Sequence, residues 1–399
     1  MVQPGLLDAL AQGLVTGSII AAGALGLSLI YSIAEVPNFA HGDMITIGAY
    51  VALAVNAPSK IPFLPDAGGV GLVVAGGVGL VIAGGFGAVY EKTIFKHFRR
   101  RDADLITMVI VSLGLALILR NVVLFLVGSK NVTYTTERVV NTNVDVSLTA
   151  GGIGVRTVQR QAGDLVVTGE WGYGLPVVLV GLVAAAAVGV GVYRWRSSDT
   201  DYRTVHLVSP RVLAVVAALA VLAVVAAVAR GAHPDASAMV ATRVGVSIKY
   251  AVIVGATLVT MFLVNLLLKG TTTGKAMRAT ADNMALAEVR GVDINRVQLV
   301  VWSLAGVLTA LAGVLTGWFA SNLNPNMGFS LLLPIFAAVI LGGITSPYGA
   351  VLGALLIGVS MDVGVYLLPA EYATYRTAIA FVILIVVLLF KPEGLWGDV

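Results

Sequence analysis

TGKAMRATADNMALAEVRGVD (273–293) is a polar, charge-bearing stretch between two long apolar runs, 244–268 and 297–319. Each run has the roughly 20 apolar residues that a membrane-spanning helix needs. The polar stretch between them is therefore a surface connector joining two spans. Read as a helix, it brings Met277, Ala281, Met284, Ala285 and Val289 onto one face. Lys275, Arg278, Asp282, Glu288 and Arg290 surround that face, and Arg278 and Asp282, four apart, have the spacing of an ion pair. Gly291 is placed to end the helix in a left-handed turn. The apolar face is too narrow and too charged at its borders to cross a bilayer. Such a segment lies on the membrane or docks into a partner's groove; an ordinary interfacial connector is the plainer alternative. Ala281 and Ala285 sit where a large side chain blocks docking, whereas Asn283 reads as a free rim position. Gly270 to Ala276 imitates a phosphate loop but is one residue short, has Ala276 where a hydroxyl would hold magnesium, and follows no strand.

The same pattern of apolar runs extends over the whole chain. Of 399 residues, 58% are hydrophobic and 12% charged, and the mean hydropathy is +0.94. That leaves too little polar surface to wrap a soluble domain. Apolar runs fall at 8–33, 43–57, 69–95, 104–128, 173–194, 210–230, 244–268, 297–319, 329–345, 347–368 and 376–391. The fold class is all-α: a polytopic transmembrane helical bundle of ten or eleven spans, the short runs 43–57 and 329–345 reading as half-spans or re-entrant helices. The first 34 residues lack a basic start and read as a retained span. The net charge of +4 does not suggest nucleic acid, and the absence of cysteine excludes disulfides and thiolate chemistry.

Loop charges set the orientation. Lys96, Arg99, Arg100 and Arg101, then Arg194, Arg196 and Arg203, then Lys269, Lys275, Arg278, Arg290 and Arg296, and finally Lys391 fall on one face when the amino terminus is outside. That face is the cytoplasmic one in a cell membrane, and it holds 273–293 and the carboxyl terminus. The loop 129–172 falls outside; its Thr, Val, Asn and Gly residues with partial alternation predict a small β-like cap. The organisation is amino-terminal helices over 1–128, the outer loop 129–172, a helix pair over 173–231, and a carboxyl-terminal core over 232–399 containing 273–293.

Four stretches together resemble one family. The segment 273–293 resembles the cytoplasmic coupling segment of ABC importer permeases, in the form carried by the branched-chain amino acid (LIV-type) permeases. NFAHGD (38–43) resembles that family's motif after the first span. RRRDADLITMVIVSLGLALILRN (99–121) resembles its basic loop and following helix, and ILGGITSPYGAVLGALLIG (340–358) its glycine-rich carboxyl-terminal segment. Order and spacing agree over about three quarters of the chain. Thr345 stands where the family usually has glycine, Pro347 and Tyr348 are rearranged, and the helix pair 173–231 is additional.

The resemblance implies a permease subunit and no enzyme. It implies coupling residues Gly274, Met277, Arg278, Ala281, Asp282, Met284, Ala285, Glu288 and Gly291. It implies a second permease subunit, identical or not, two ABC ATPase subunits and an external substrate-binding protein as partners. The chain itself would bind no cofactor, ATP and magnesium being held by the ATPases. Cargo would be branched-chain or related amino acids, with urea, amides or nucleosides as alternatives within the superfamily.

Several residues stand out inside the apolar runs. In Asn38, Phe39, Ala40, His41, Gly42 and Asp43, Pro37 breaks the preceding helix and the short polar side chains cap the next. A broken helix pinned by hydrogen bonds competes there with direct substrate contact. His41 has no other ligand residue at metal spacing. Arg120 interrupts an apolar run, beside Asn121, and the resemblance puts a polar uncharged residue at its position. It either snorkels or pairs with an acid on a neighbouring span, or else lines the translocation path. Gly342 and Gly343 begin a small-residue segment suited to close helix packing. No catalytic set and no metal cluster is legible. A stand-alone ion-coupled transporter remains the rival reading, but it calls for intramembrane acids or inverted repeats, and no convincing repeat is present.

Overall fold

Each of the eleven apolar runs forms a helix. The computed structural model describes residues 5–65, 68–101, 103–135, 142–149, 152–161, 164–197, 210–228, 231, 242–391 and 394–395. In chain order come α1 (Leu6–Ala34), α2 (His41–Asn56) and α3 (Leu72–Tyr90), continued by a π-helical turn (Glu91–Phe95) and α4 (Lys96–Arg99), then α5 (Leu105–Val127). Three strands follow, β1 (Thr142–Thr149), β2 (Gly152–Gln161) and β3 (Asp164–Gly174), then α6 (Leu175–Ser197), α7 (Pro210–Val228) and β4 (Thr242–Ser247). The chain continues with α8 (Ile248–Gly270), α9 (Thr272–Asp282), α10 (Met284–Val289), α11 (Ile294–Ala320), α12 (Met327–Gly342), α13 (Pro347–Leu367) and α14 (Arg376–Phe390). Among the described residues, eight helices are long and apolar enough to cross a membrane. The two short runs are α2 and α12, with 16 residues each. At 1.5 Å per residue each is about 24 Å long, against a hydrocarbon core of about 30 Å.

The chain divides into two compact units, 138–249 and the remainder (1–137 with 250–399). In the smaller unit the strands form one antiparallel sheet in the order β3-β2-β1-β4. The β-like segment is thus wider than the sequence suggested. The apolar run 244–268 begins as strand, because Thr242–Ser247 pairs with Asn143–Leu148 of β1, and the helix starts only at Ile248. Beyond β3, α6 and α7 pack through small residues, Gly189 lying over Ala214 and Ala218.

In the larger unit α1 is the central rod. Every residue from Val15 to Ile30 is buried. Its neighbours come close because the contacts lack side chains: a Cβ on Gly13 would stand 2.6 Å from the Val359 Cα, and one on Gly17 2.9 Å from the Leu355 Cα. The same device joins α2 to α11, where Gly48 faces Ala310 and Gly313 faces the Ile45 carbonyl, and α3 to α11, where Gly87 faces the Trp302 carbonyl and Gly306 that of Ala83. At the start of α5 the Asp104 carboxylate accepts from the Thr107 hydroxyl and from the Thr107 N–H at 3.3 Å. Those bonds, the hydroxyl first, hold it below the usual carboxylate range.

Gly313→Ala adds one methyl group against the Ile45 carbonyl. It is expected to cost about 1–3 kcal/mol and to lower the unfolding midpoint in detergent. Gly114→Ala on α5 meets nothing within 4 Å; it should be neutral or stabilising by up to about 1 kcal/mol. Equal midpoints for the two variants would refute the close-packing account.

Candidate functional site

Glu35 closes α1 in the left-handed conformation, φ 53°. The chain then turns back along α1, so that His41, the first residue of α2, lies against Gly23. From Gly23, α1 runs on eleven residues to Ala34, about 16 Å. The half-span expected at 43–57 therefore begins deep in the bundle, after an extended re-entrant segment. Irregular backbone at such depth has to find its partners in protein, and NFAHGD supplies them. The Asn38 Oδ1 accepts from the Ala40 N–H at 3.0 Å, and the Phe39 N–H donates to the Ser112 hydroxyl of α5 at 3.2 Å. The Phe39 ring lies 5.2 Å from that of Phe336 on α12. His41 Nε2 is 2.8 Å from the Gly23 carbonyl and so carries the proton, leaving Nδ1 buried without a partner. Gly42 admits α12: a Cβ there would stand 2.8 Å from the Gly328 carbonyl, while the Gly328 N–H donates to the buried Thr46 hydroxyl at 3.1 Å.

Asp43 is fully buried and accepts from Arg120 in bidentate fashion, Nε to Oδ1 at 3.0 Å and Nη2 to Oδ2 at 3.1 Å. The guanidinium also stacks 4.4 Å above the Phe329 ring of α12. Arg120 is thus paired with an acid of a neighbouring helix and faces protein, its side chain 18% exposed. Asn121 is not part of this cluster; its amide donates to the Leu117 carbonyl of its own helix at 2.8 Å.

Gly342 and Gly343 lie at the other end of α12, about 24 Å along it. A Cβ on Gly342 would collide with the Gly349 carbonyl, and Gly343 adopts φ 103°, which suits glycine. The turn is held by the Ser28 hydroxyl donating to the Ile344 carbonyl at 3.0 Å and by Ser346 capping α13 through the Gly349 N–H at 3.1 Å.

Residues 273–293 are not one helix but an elbow of two. Asn283, at φ −160° and ψ 101°, ends α9, and its side chain caps α10 by accepting from the Leu286 N–H at 2.8 Å. The break divides the expected apolar face; Arg278 and Asp282, both on α9, form no ion pair among the described residues. Gly274, Met277, Thr280 and Ala287 are buried, and Met284 is half-buried. Ala281, Asp282, Ala285, Glu288, Arg290 and Gly291 are exposed, as are Arg278 and Val289. Gly291 takes φ 85°, the left-handed turn expected of it. Asn283 is a structural cap and not a free rim position.

Sequence reading missed one cluster. Asp362 on α13 accepts from Arg376 of α14 at 2.5 Å and from the Thr16 hydroxyl of α1 at 2.7 Å, and Arg376 Nη2 also reaches Thr16 Oγ1 at 2.8 Å. A lone Asp and a lone Arg fourteen residues apart carry no periodic signal; only the intervening turn, Ala370–Tyr375, brings them together. Among the described residues no group of His, Cys, Asp and Glu could hold a metal ion.

Asp43→Asn leaves Arg120 largely buried and unpaired, and is expected to cost about 3–5 kcal/mol. The double variant Asp43→Asn/Arg120→Met should recover much of that loss, because it strands no charge. The check is thermal unfolding of the single and double variants in the same detergent; additive losses would mean that the two residues are not coupled.

The sequence matches the family described as branched-chain amino acid transport system, permease component, over residues 9–147 and again over 106–388. It is 34% identical over 147 residues to the high-affinity branched-chain amino acid transport system permease protein LivH of Salmonella typhimurium, covering 37% of this chain and 47% of that protein. It is 35% identical over 141 residues to the corresponding protein BraD of Pseudomonas aeruginosa, covering 35% and 45%. It is also 31% identical over 129 residues to the ribose import permease protein RbsC of Escherichia coli, covering 31% and 40%. The chain spans about half the length, or less, of these curated relatives. No solved structure matches it. With apolar helices of membrane-spanning length and a family match over most of its residues, the chain is a multi-pass membrane protein that belongs to the branched-chain amino acid transport system permease family.

Proposed function

We propose that this chain is the permease subunit of an ABC importer and moves branched-chain or related amino acids inward. A second permease subunit, identical or not, completes the path. Two ABC ATPase subunits hold ATP and magnesium, and an external binding protein delivers the cargo. The amino terminus is outside and the carboxyl terminus inside, so the basic loops and the α9–α10 elbow are cytoplasmic, and the sheet-bearing segment 138–249 faces the binding protein. LivH and BraD, named for branched-chain amino acid transport, support this cargo over the sugar that the similarity to RbsC would suggest. A transporter coupled to ions on its own is disfavoured, because Asp43 and Asp362 are both committed to arginines.

The elbow carries the proposal. Gly274, Met277 and Ala287 anchor it on the bundle, while Ala281, Ala285, Leu286 (55% exposed) and Val289 (85% exposed) face outward between Arg278, Asp282, Glu288 and Arg290. A small apolar patch with a charged rim suits a groove in a protein partner, the rim charges fixing its register. Movement of the partner would reach α8 and α11 through the buried side, where Gly274 lies against the Leu267 and Leu268 backbone.

Ala285→Trp adds bulk at an exposed position, so the permease should insert and fold normally. In the assembled transporter, co-purification of ATPase subunits and substrate-stimulated ATPase activity should each fall at least about tenfold, the loss of one hot-spot contact. Lys275→Gln, exposed on the other helix of the elbow, is the control. Normal transport by Ala285→Trp would reduce the elbow to a connector.

A further inference from the structure

Lys96, Arg99, Arg100 and Arg101 crowd within six residues at the end of the apolar helix Leu72–Arg99, with Lys92 one turn earlier. The transport reading uses them only to orient the chain. Beside them lies a cavity of about 220 Å³, walled chiefly by Phe95, Leu105, Met108 and Trp302, with Glu35 and Arg99 also on its lining. Trp302 is 1% exposed, and its indole N–H has no acceptor among the described residues.

The charges near the cavity are not equally available. Arg99 is engaged by the buried Glu91 carboxylate, and Asp104 by Thr107. Arg100 and Arg101 are exposed and form no ion pair among the described residues. Leu105, on the cavity wall, is 55% exposed, and Ile106 beside it is 68% exposed, so the wall continues onto the outward apolar face of α5. The cavity thus joins cationic loop residues to a surface that meets acyl chains.

We infer that this cavity binds an anionic phospholipid whose headgroup carries hydroxyl donors, of the phosphatidylglycerol kind. Its phosphate meets Arg100 and Arg101, and the hydroxyls meet Glu35. The acyl chains run along Leu105 and Ile106. Basic clusters at the ends of membrane helices are general sites for acidic lipids. An acidic segment of a protein partner would also satisfy the arginines but would leave Leu105 and Ile106 uncovered. The inference depends on neither the cargo nor the direction of transport.

The test uses the full chain in nanodiscs of phosphatidylcholine with phosphatidylglycerol as minor component. Lipid that stays bound through re-extraction into neutral detergent is counted by mass spectrometry. The wild type should retain phosphatidylglycerol well above its share of the bilayer, and Lys275→Gln should do the same. Arg100→Gln and Arg101→Gln should each lower that enrichment about fivefold, whereas Arg100→Lys/Arg101→Lys should keep most of it. Met108→Phe, which narrows the cavity, should lower it with the arginines intact; if that variant does not fold, the arginine variants decide. No enrichment in the wild type, or unchanged enrichment in the double Gln variant, overturns the inference. Loss of ATPase subunits from the double Gln variant with lipid retention unchanged also overturns it, and assigns the surface to a protein.

Discussion

A short polar segment can lie deep in an apolar bundle only if each of its backbone and charged groups is satisfied there. The return of the chain from Glu35 to His41 meets that constraint, and the Asp43–Arg120 pair is its centre. One carboxylate on the first turn of α2 ties that turn to α5, the guanidinium covers Phe329 on α12, and neighbouring residues reach Gly23 on α1 and Gly328 on α12. Remove the pair, and the point where four helices converge loses its polar anchor. The cost of dehydrating two charges makes the arrangement weak evidence for stability as such. What it fixes is position: α2 can start in only one place.

Two acid–arginine pairs, Asp43–Arg120 and Asp362–Arg376, tie different helices of the bundle together. Asp43–Arg120 fixes the start of a short helix, whereas Asp362–Arg376, with Thr16 between them, fixes the start of the last one to the central rod. Glycine contacts do the rest of the joining. Because lipid offers little hydrophobic drive for helices to associate, close approach of bare backbones supplies the cohesion that apolar burial supplies in water. This accounts for glycines such as Gly13, Gly17, Gly48, Gly87, Gly306 and Gly313, each set against the backbone of a neighbouring helix.

Much of this was legible because hydropathy reports one strong physical variable. All eleven apolar runs contain a helix, and the runs 43–57 and 329–345, read as half-spans, are the 16-residue helices α2 and α12. Local chemistry was legible where the deciding atoms are close in sequence, as with the polar caps of NFAHGD and the left-handed Gly291. It failed where a distant partner decides. Thr242–Ser247 looks like the first turn of an apolar helix until β1 offers it a ladder, and Asp362 and Arg376 show no relation until a turn folds them together. Asn283 is the instructive case. Its composition suits a free surface position as well as a helix cap, and only the backbone angle distinguishes the two. That one residue turned a single amphipathic stripe into an inward and an outward face.

The sheet has a consequence for how such a chain can change over time. β1 and β4 are neighbours, with Asn143 opposite Ser247, although about a hundred residues separate them in sequence. The segment between these strands therefore begins and ends at neighbouring points of one sheet. A piece joined to its host through two adjacent ends behaves as a cassette, which can be lost, exchanged or enlarged without asking the surrounding helices to move apart.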